Sequence, residues 1–481
     1  MRPPVTLPLP RFPLRPLAAA FALALAIDAA PPAHAAAPHT LAVSNCDDSG
    51  SGSLRDAVDH AADGDTIDLT QLSCSTISLS TGAILIGVEG LTLHGPGNHT
   101  LMIQGSGDSG SALLYDLGGG LLAVDGIDLS FGAKYRSDNS AHGGCVSTNG
   151  DLRVTDAHVY ACTVHANTYA ASGGALYAYG SVSLDNVTIE NSGPTTFGVG
   201  KGGCVFAGGT LAIINSRITG CRNAAGTQGF GGGAYAGGDL VMKYSTIDGN
   251  ANDDAPIGSG GGLYVRGSST IYWSTISNNR SHVGGGLATS FDNTHSAFIG
   301  ESTISGNEAA TAGGIQADMP TTIESSTIAF NRIPHSDGTP FDYAFSAGLG
   351  ARSSVTITST IIANNVIYDD AGEEPADIGG DLPNPIAGSN NLFMSSAQPS
   401  PPDTIVDDPH LAPLADNGGV TWTHAIYAGS AAVDRGLDDG YSIDQRGTGF
   451  VRVRGAAADI GAFESDPDAV DPDVIFDNGF D

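Results

Sequence analysis

Four aromatic residues recur at one place of an internal repeat, where together they could bind a ligand. Each stands three residues after the second glycine of a Gly-Gly pair, at 29-residue intervals: Tyr177, Phe206, Tyr235 and Tyr264. Their sequence neighbours are apolar, so alternation along a strand points the rings outward. With the usual strand spacing of ~4.8 Å, stacked repeats would align the rings in a column. The column could carry a sugar chain, or it could be an aromatic ladder that only stabilises the sheet.

A row of charged residues recurs beside a repeated asparagine. Arg280, Glu308 and Arg332 each follow an asparagine that stands three residues after an isoleucine, so they should lie on three successive coils. One interpretation is a row of alternating salt bridges. The other is a catalytic cluster in which Arg280 or Arg332 acts as a base, assisted by His282 and His295.

Other machinery for cleaving glycans is sparse. A lyase needs a Lys or Arg base, often with bound Ca²⁺, and a hydrolase needs carboxylates ~5–9.5 Å apart. The three lysines, Lys134, Lys201 and Lys243, occupy unrelated registers of the repeat. The Asp438-Asp439 pair, the DDPH segment and the final DVIFDNGFD lack the carboxylate spacing of a dedicated calcium loop. We therefore expect no cofactor beyond weak calcium binding. We favour a non-catalytic protein, with a polysaccharide lyase or glycoside hydrolase of the same fold as the alternative.

The Gly-Gly pairs mark a repeat of about 29 residues. They recur at Gly143-Gly144, Gly173-Gly174, Gly202-Gly203, Gly231-Gly232, Gly260-Gly261, Gly284-Gly285 and Gly313-Gly314. Alternating apolar residues after each pair predict three short strands per unit, closed by a loop of variable length. No helical period separates the strands, and the unit is too short for a propeller blade. The sequence therefore predicts an all-β chain, a single-stranded right-handed parallel β-helix (a solenoid) of about nine coils.

Recurring asparagines and a short N-terminal helix complete this prediction. Asn250, Asn279, Asn307 and Asn331 should form a ladder of amide hydrogen bonds between coils, continued by residue 364 or 365. An apolar stripe after Ser53, ended by a glycine at position 64, predicts an amphipathic helix that caps the first coil.

The repeat segments resemble known families of exported proteins. GGALYAYG, GGGLYVRG and SGNEAATAGG are similar to repeats of polymorphic outer-membrane proteins and related pectin-lyase-like β-helices. GSLRDAVDHAADGDTIDL resembles the entry segment of the CSLREA-type domain, with Gly52 where that domain has Cys. Residues from Asp408 to Glu464, including DQRGTGFVRVRGAAADIGAFE, resemble the choice-of-anchor Q domain. This last resemblance implies surface or extracellular placement and a β-helix, and it implies no reaction.

The chain divides into five predicted regions. Residues 1–35 read as a signal peptide, with arginines before an apolar run and a small-x-small cleavage site. The cap and first coils should span 36–120, the repeats 121–395, the choice-of-anchor Q-like coils and cap 396–465, and an acidic tail 466–481. The mature chain has no membrane span, and the net charge of −32 carried by the full chain would repel nucleic acid. We expect a secreted or cell-surface protein whose partner is a polysaccharide or cell-surface glycan.

Six cysteines fit an oxidising compartment. Cys145 and Cys204 occupy the same place two coils apart, which is ~9.6 Å, too far for a disulfide. The coil geometry instead predicts bridges within coils, Cys145–Cys162 and Cys204–Cys221. The remaining pair, Cys46–Cys74, should staple the N-terminal cap.

Overall fold

The chain forms a right-handed parallel β-solenoid of eleven coils. The computed structural model describes residues 38–106, 113–137, 139–252, 254–334, 346–369, 372–427 and 429–466. The predicted signal peptide and nearly all of the acidic tail lie outside these residues. The predicted fold class is confirmed, because in the described residues every strand pairing is parallel except the last hairpin, which joins Val366–Asp369 to Gly372–Pro375.

Four sheets run along the solenoid axis, and one short helix, α1 (Leu54–Asp59), precedes them. Sheet 1 contributes up to two strands per coil: Thr40–Ala42, Thr66–Asp68, Thr76–Leu79, Leu91–His94, Met102–Gly105, Leu121–Asp125, Asp128–Ser130, Asp151–Tyr160, Val182–Glu190, Leu211–Ile214, Arg217–Thr219, Leu240–Lys243, Thr246–Asp248, Ser269–Tyr272, Thr275–Ser277, Ala297–Gly300, Thr303–Ser305, Thr321–Glu324, Thr327–Ala329, Val355–Thr358, Ile361–Ala363, Ala387–Ser389 and Leu392–Phe393.

The other three sheets complete each coil. Sheet 2 follows the Gly-Gly pairs and comprises Ile84–Ile86, Leu114–Asp116, Val146–Thr148, Leu176–Ala178, Val205–Ala207, Ala234–Ala236, Leu263–Val265, Leu287–Thr289, Ile315–Ala317, Leu349–Ala351 and Ile378–Gly379. Sheet 3 precedes the pairs and comprises Ala141–His142, Ala171–Ser172, Val199–Lys201, Gln228–Phe230, Ala251–Asn252, Ile257–Ser259, Arg280–Val283, Glu308–Thr311, Arg332–Ile333, Val366–Asp369 and Gly372–Pro375. Sheet 4 comprises Ala133–Arg136, Thr163–Ala166, Gly193–Thr196 and Ala224–Ala225.

The core is a set of aliphatic columns inside sheets 1 and 2. Alternation buries one residue in two, so residues in register on successive coils stack directly on each other. One such column contains Ile213, Met242, Ile271, Ile299, Ile323 and Ile357, all fully buried. A continuous core therefore links all the coils, as expected for a solenoid.

Two polar ladders satisfy the buried turns between strands. In the asparagine ladder, Asn307 donates from Nδ2 to Asn331 Oδ1 (2.9 Å) and accepts from Asn279 Nδ2 (3.0 Å). Asn365, rather than residue 364, continues the ladder, and Asp377 Oδ1 terminates it. A second ladder, of serines, was not predicted: the backbone N–H of one coil donates to the hydroxyl of the next at Ser216, Ser245, Ser274, Ser302 and Ser326.

The coil count and the closing loop differ from the prediction. Eleven strands in sheet 2 give eleven coils rather than about nine, because the first two and the last two coils lack the Gly-Gly pair used for counting. In coils three to six the predicted closing loop is instead an arch of short strands from sheets 3 and 4. Alanines and a valine pack inside it: Ala141, Val164, Ala166 and Ala171. Such strands of two to four residues lack a clear apolar alternation.

The glycine pair forms the corner between the arch and sheet 2. Gly202 has φ +66°, and a Cβ placed there would lie 2.0 Å from the carbonyl oxygen of Val205. Any L side chain is therefore excluded at this bend. The concave corner that the glycines create lies between the outer face of sheet 3 and the outer face of sheet 2.

Residues 405–465, here named the C-terminal segment, differ from the coils and cap predicted over 396–465. In the described residues this segment contains only isolated bridges, and it lies against the outer face of sheet 1. We name this face of sheet 1 the wall. The apolar residues of the segment, among them Ile426, Ile460 and Phe463, form a second small core with Ile361 and Ala363 of the wall. The strand pairing of the coils does not continue into this segment. The segment is instead held to sheet 1 by contacts that involve side chains.

The N-terminal cap follows the predicted pattern over a shorter length. Ser53 caps α1 by accepting from the backbone N–H of Asp56, whose carboxylate accepts from Gly52. The helix ends at Asp59, before the predicted glycine at 64. No helix among the described residues has the length and apolarity needed to cross a membrane.

The three disulfides join the pairs that the coil geometry predicts. The Cα–Cα distances are 5.5 Å for Cys145–Cys162, 5.6 Å for Cys204–Cys221 and 6.5 Å for Cys46–Cys74. Cys221 stands at the ladder position, where its N–H donates to Asn250 Oδ1 (2.9 Å).

Removing the Cys204–Cys221 bridge by a double alanine substitution should lower the free energy of unfolding by about 2–4 kcal/mol, because the closed loop restricts the unfolded chain. Chemical denaturation would measure the loss, and peptide mapping without reductant would identify the bridges. A Cys145–Cys204 peptide in that map would contradict the coil register described above.

Candidate functional site

The predicted aromatic residues stack in one column on the outer face of sheet 2. Ring centroids are 4.8 Å apart for Tyr177–Phe206, 5.1 Å for Phe206–Tyr235 and 5.6 Å for Tyr235–Tyr264, with interplanar angles of 6–11°. The strand register extends the row to Tyr115, with Ser147 between it and Tyr177.

Stacking within the column limits how a sugar could contact it. Each inner ring has both faces against its neighbours, and Tyr235 is only 4% exposed. A pyranose therefore cannot lie flat on the inner rings. What the column offers to a ligand is ring edges and the hydroxyl groups of its tyrosines.

A second row of side chains faces the column across the corner. These residues stand directly before the Gly-Gly pairs on sheet 3, and each reaches a ring one coil further on. His142 stacks on Tyr177 at 4.4 Å, Lys201 Nζ lies 5.4 Å from the Tyr235 ring, and Phe230 contacts Tyr264 edge-on at 4.9 Å. We name the corner between the two rows the aromatic groove.

Cations concentrate along the aromatic groove. Lys134, from sheet 4, places Nζ 4.0 Å from the Tyr115 ring centre, and the positive charge of Arg266 acts on Tyr235, partly offsetting the rise that burial causes in the pKa of that tyrosine. As predicted, the lysines occupy different registers of the repeat: Lys134 pairs with Val164 in sheet 4, and Lys201 lies in sheet 3. The arch nevertheless brings Lys134 and Lys201 from different strands to the same groove.

The groove holds these positive charges close together. Burial, with Arg136 nearby, lowers the pKa of Lys134 to about 8. Burial and Arg266 lower the pKa of Lys201, and burial with Lys134 and Lys201 lowers the pKa of His142 to about 4. The His142 Nδ1 atom is buried without a hydrogen-bond partner. Each shift favours the neutral form, mainly because burial penalises the charge, and the neighbouring cations add to this effect.

The predicted charged row also forms, on a different part of the coil. Arg280, Glu308 and Arg332 are direct register partners on successive strands of sheet 3. All three line a cavity of about 250 Å³, and Arg332 also lines a cavity of about 750 Å³ against the C-terminal segment. His282 and His295 line neither cavity, and His295 pairs with Asp292 at 2.8 Å. The structure thus brings together the charged row without the histidines.

A metal site was expected only as weak calcium binding. Within the described ranges, no three His, Cys, Asp or Glu side chains are grouped to hold a metal ion. The final DVIFDNGFD lies outside the described residues, so weak calcium binding stays a prediction.

The sequence contained a signal for the second row that the prediction did not use. The residue before each Gly-Gly pair recurs with the same 29-residue period as the aromatic column, from Ser172 to Lys201, Phe230 and Ser259. The residue type at this position varies from coil to coil, so the sequence pattern did not reveal the row.

A comparison with protein-family models agrees with this fold. The family model described as right handed beta helix region matches residues 137–328. No curated protein sequence matches the chain. Among solved structures, the crystal structure of pectate lyase Pel9A is similar with a TM-score of 0.38 and 13% identity, covering 89% of this chain and 96% of that chain. The fold and the matched region together define the class of this protein, a right-handed parallel β-helix.

Proposed function

We propose that this chain is an exported, non-catalytic protein that binds an acidic polysaccharide along the aromatic groove. One observation carries the proposal: two of only three lysines in a chain of net charge −32 lie over rings of one groove. Gathering cations under partial burial costs free energy, and an anionic ligand would recover it.

The shape of the groove favours an extended ligand. The coils are ~4.8 Å apart, so the groove from Tyr115 to Tyr264 presents side chains at regular steps over six strands. Tyrosine hydroxyls and ring edges contact hydroxyls and C–H groups of a sugar chain, while the cations contact its carboxylates or sulfates.

Export and surface placement belong to the same proposal. Three disulfides favour an oxidising compartment, and the N-terminal residues and the choice-of-anchor Q resemblance support an exported protein. The alternative function, a polysaccharide lyase or glycoside hydrolase, draws support from the charged row of Arg280, Glu308 and Arg332 at its cavity.

Substituting Lys201→Gln should weaken binding of a polyuronate or a sulfated glycan about tenfold, because a charge-assisted contact contributes roughly 1.5–3 kcal/mol. Isothermal titration calorimetry at low salt would measure the dissociation constant. Affinity should also fall as pH rises from 7 to 9, since Lys134, with a pKa of about 8, loses its charge there.

Lys243→Gln is the matched control, because Lys243 lies 5.9 Å from Tyr272 and outside the groove. Equal affinity of the wild type and the Lys201→Gln variant for every acidic glycan would refute the groove as the site. Release of unsaturated uronate or reducing ends, abolished by Arg280→Ala or Arg332→Ala, would refute the non-catalytic assignment.

A further inference from the structure

A cleft forms where the C-terminal segment crosses the wall of the solenoid. It combines the 750 Å³ and 250 Å³ cavities, which share Arg332, and it has no residue in common with the aromatic groove. The larger volume lies within the ~300–1,000 Å³ range typical of small-molecule sites. We name this feature the C-terminal cleft.

The floor of the cleft is a row of left-handed turns, one per coil. The residues at these turns are Gly249, Asn278, Gly306, Phe330 and Asn364, with φ between 54° and 66°. Four coil spacings give the row a length of about 19 Å. Glycine and asparagine adopt this conformation readily and leave space above the turn.

Phe330 is the exception in this row. A bulky residue with φ +57° is strained, at a cost of about 1–3 kcal/mol, and strain of this kind gathers at functional sites. Its ring packs against His424 of the C-terminal segment, with centroids 5.0 Å apart. The ring stands between the turns at Gly306 and Asn364 and forms part of the lining of the larger cavity.

His424 fixes the opposite side of the cleft. It is 2% exposed, and burial lowers its pKa to about 4, so the imidazole is neutral. Nδ1 donates to the carbonyl of Ala412 (2.6 Å), so Nε2 accepts from the hydroxyl of Ser305 (2.8 Å). His424 thus links Phe330 and Ala412, which both line the larger cavity, to Ser305 of sheet 1.

The charges in the cleft differ from those in the aromatic groove. Glu308 stands between Arg280 and Arg332 in register, so opposite charges alternate along the floor. Glu373 and Asp408 line the larger cavity with Arg332. Alternating charges largely cancel over the length of a ligand, so the cleft does not select a strongly charged chain.

The lining suits neutral sugars. Carboxylates accept, and guanidinium groups donate, paired hydrogen bonds to neighbouring hydroxyls. Tyr368, Tyr427 and Phe330 supply aromatic surface at the larger cavity, where a sugar ring can pack. We infer that the C-terminal cleft is a second carbohydrate site, which binds a neutral oligosaccharide with one end in the larger cavity. This inference does not depend on the proposed function of the aromatic groove.

The test uses the full chain and hexasaccharides of glucose, mannose, galactose and xylose as probes. Calorimetry should detect binding of at least one probe, with little change between 50 mM and 500 mM salt because the ligand is uncharged. Arg332→Gln and Glu308→Gln should each raise the dissociation constant about tenfold. Both side chains reach solvent, so both variants should fold.

Lys201→Gln serves as the control for the aromatic groove and should bind the neutral probe as the wild type does. Absence of binding by all four probes would overturn the inference, and so would binding that Lys201→Gln weakens and Arg332→Gln leaves unchanged. Cleavage of a probe into new reducing ends would also overturn it, because the cleft would then be a hydrolase site. None of these results decides whether acidic glycans bind the groove.

Discussion

Replacing Arg452 by alanine should destabilise the folded chain by about 3–5 kcal/mol, as expected when one partner of a buried ion cluster is removed. Arg452 is 1% exposed, and its Nε atom lies 2.7 Å from Glu301 Oε1 of the wall. It also approaches Glu464 at 3.6 Å and donates to the carbonyl of Asp459. Without the guanidinium, two buried carboxyl groups lose their shared partner.

The loss of stability should depend on pH, because the folded structure raises the pKa of both carboxyl groups. Burial raises the pKa of Glu464 to about 7 and that of Glu301 well above its usual value. The stability that protonation contributes is fully present below the unfolded value of about 4.5 and is lost as pH rises through the folded value. In the Arg452→Ala variant the acids are neutral at pH 5, so the destabilisation should be smaller at pH 5 than at pH 8.

Urea denaturation at the two pH values measures this effect, and limited proteolysis would show whether the C-terminal segment is the part released. Arg454→Ala is the matched control, because the Arg454 side chain is 41% exposed and pairs with Asp466 at the surface. A loss below about 1 kcal/mol at pH 8 would mean that the buried cluster does not hold the segment to the wall.

Asn307→Ala should cost roughly 3 kcal/mol or more, since it leaves several buried groups unpaired at about 1–3 kcal/mol each. The Asn307 side chain accepts from the backbone and Nδ2 of Asn279 and donates to Ile276 O and Asn331 Oδ1, all within 2.9–3.0 Å. No water can replace these contacts without space in the core.

Asn293→Ala tests the same substitution at an exposed loop position and should change stability by less than about 0.5 kcal/mol. Denaturant unfolding of both variants gives the comparison. Equal stabilities for the two variants would show that the amide ladder does not contribute to stability. The fold would then depend on its aliphatic columns alone.

The sequence predicted those parts of the molecule in which the same residue type recurs. Such parts are the Gly-Gly pairs, the alternating aliphatic residues and the asparagine ladder. They recur because each coil packs against its neighbours with the same side chain at the same position. The aromatic column was visible for the same reason. The strands of the arch, such as Ala171–Ser172, were missed because pairing with neighbouring coils, rather than local propensity, makes them strands.

The C-terminal segment was beyond prediction for a different reason. Gln445 hydrogen-bonds Thr275 and Thr303 of the wall, 170 and 142 residues away in sequence. Those wall strands are buried on both faces, whereas Thr246–Asp248 leaves its outer residues half exposed. The STI motif is the same in all of them, so no local pattern reveals which copies are covered. The C-terminal cleft depends on this covering and could not be predicted either.

The fixed step of about 29 residues between paired strands has a consequence for how the chain reaches its native state. Nearly every contact in the solenoid joins neighbouring coils, such as Ile218 to Ile247 and Ile247 to Ile276, so loop closure costs little entropy at each addition. A first coil can act as a template for the next, and folding can advance from coil to coil along the chain. The C-terminal segment must wait, because its partners lie more than a hundred residues earlier. Docking of the segment therefore requires that those coils have formed, and the C-terminal cleft forms only when the segment docks.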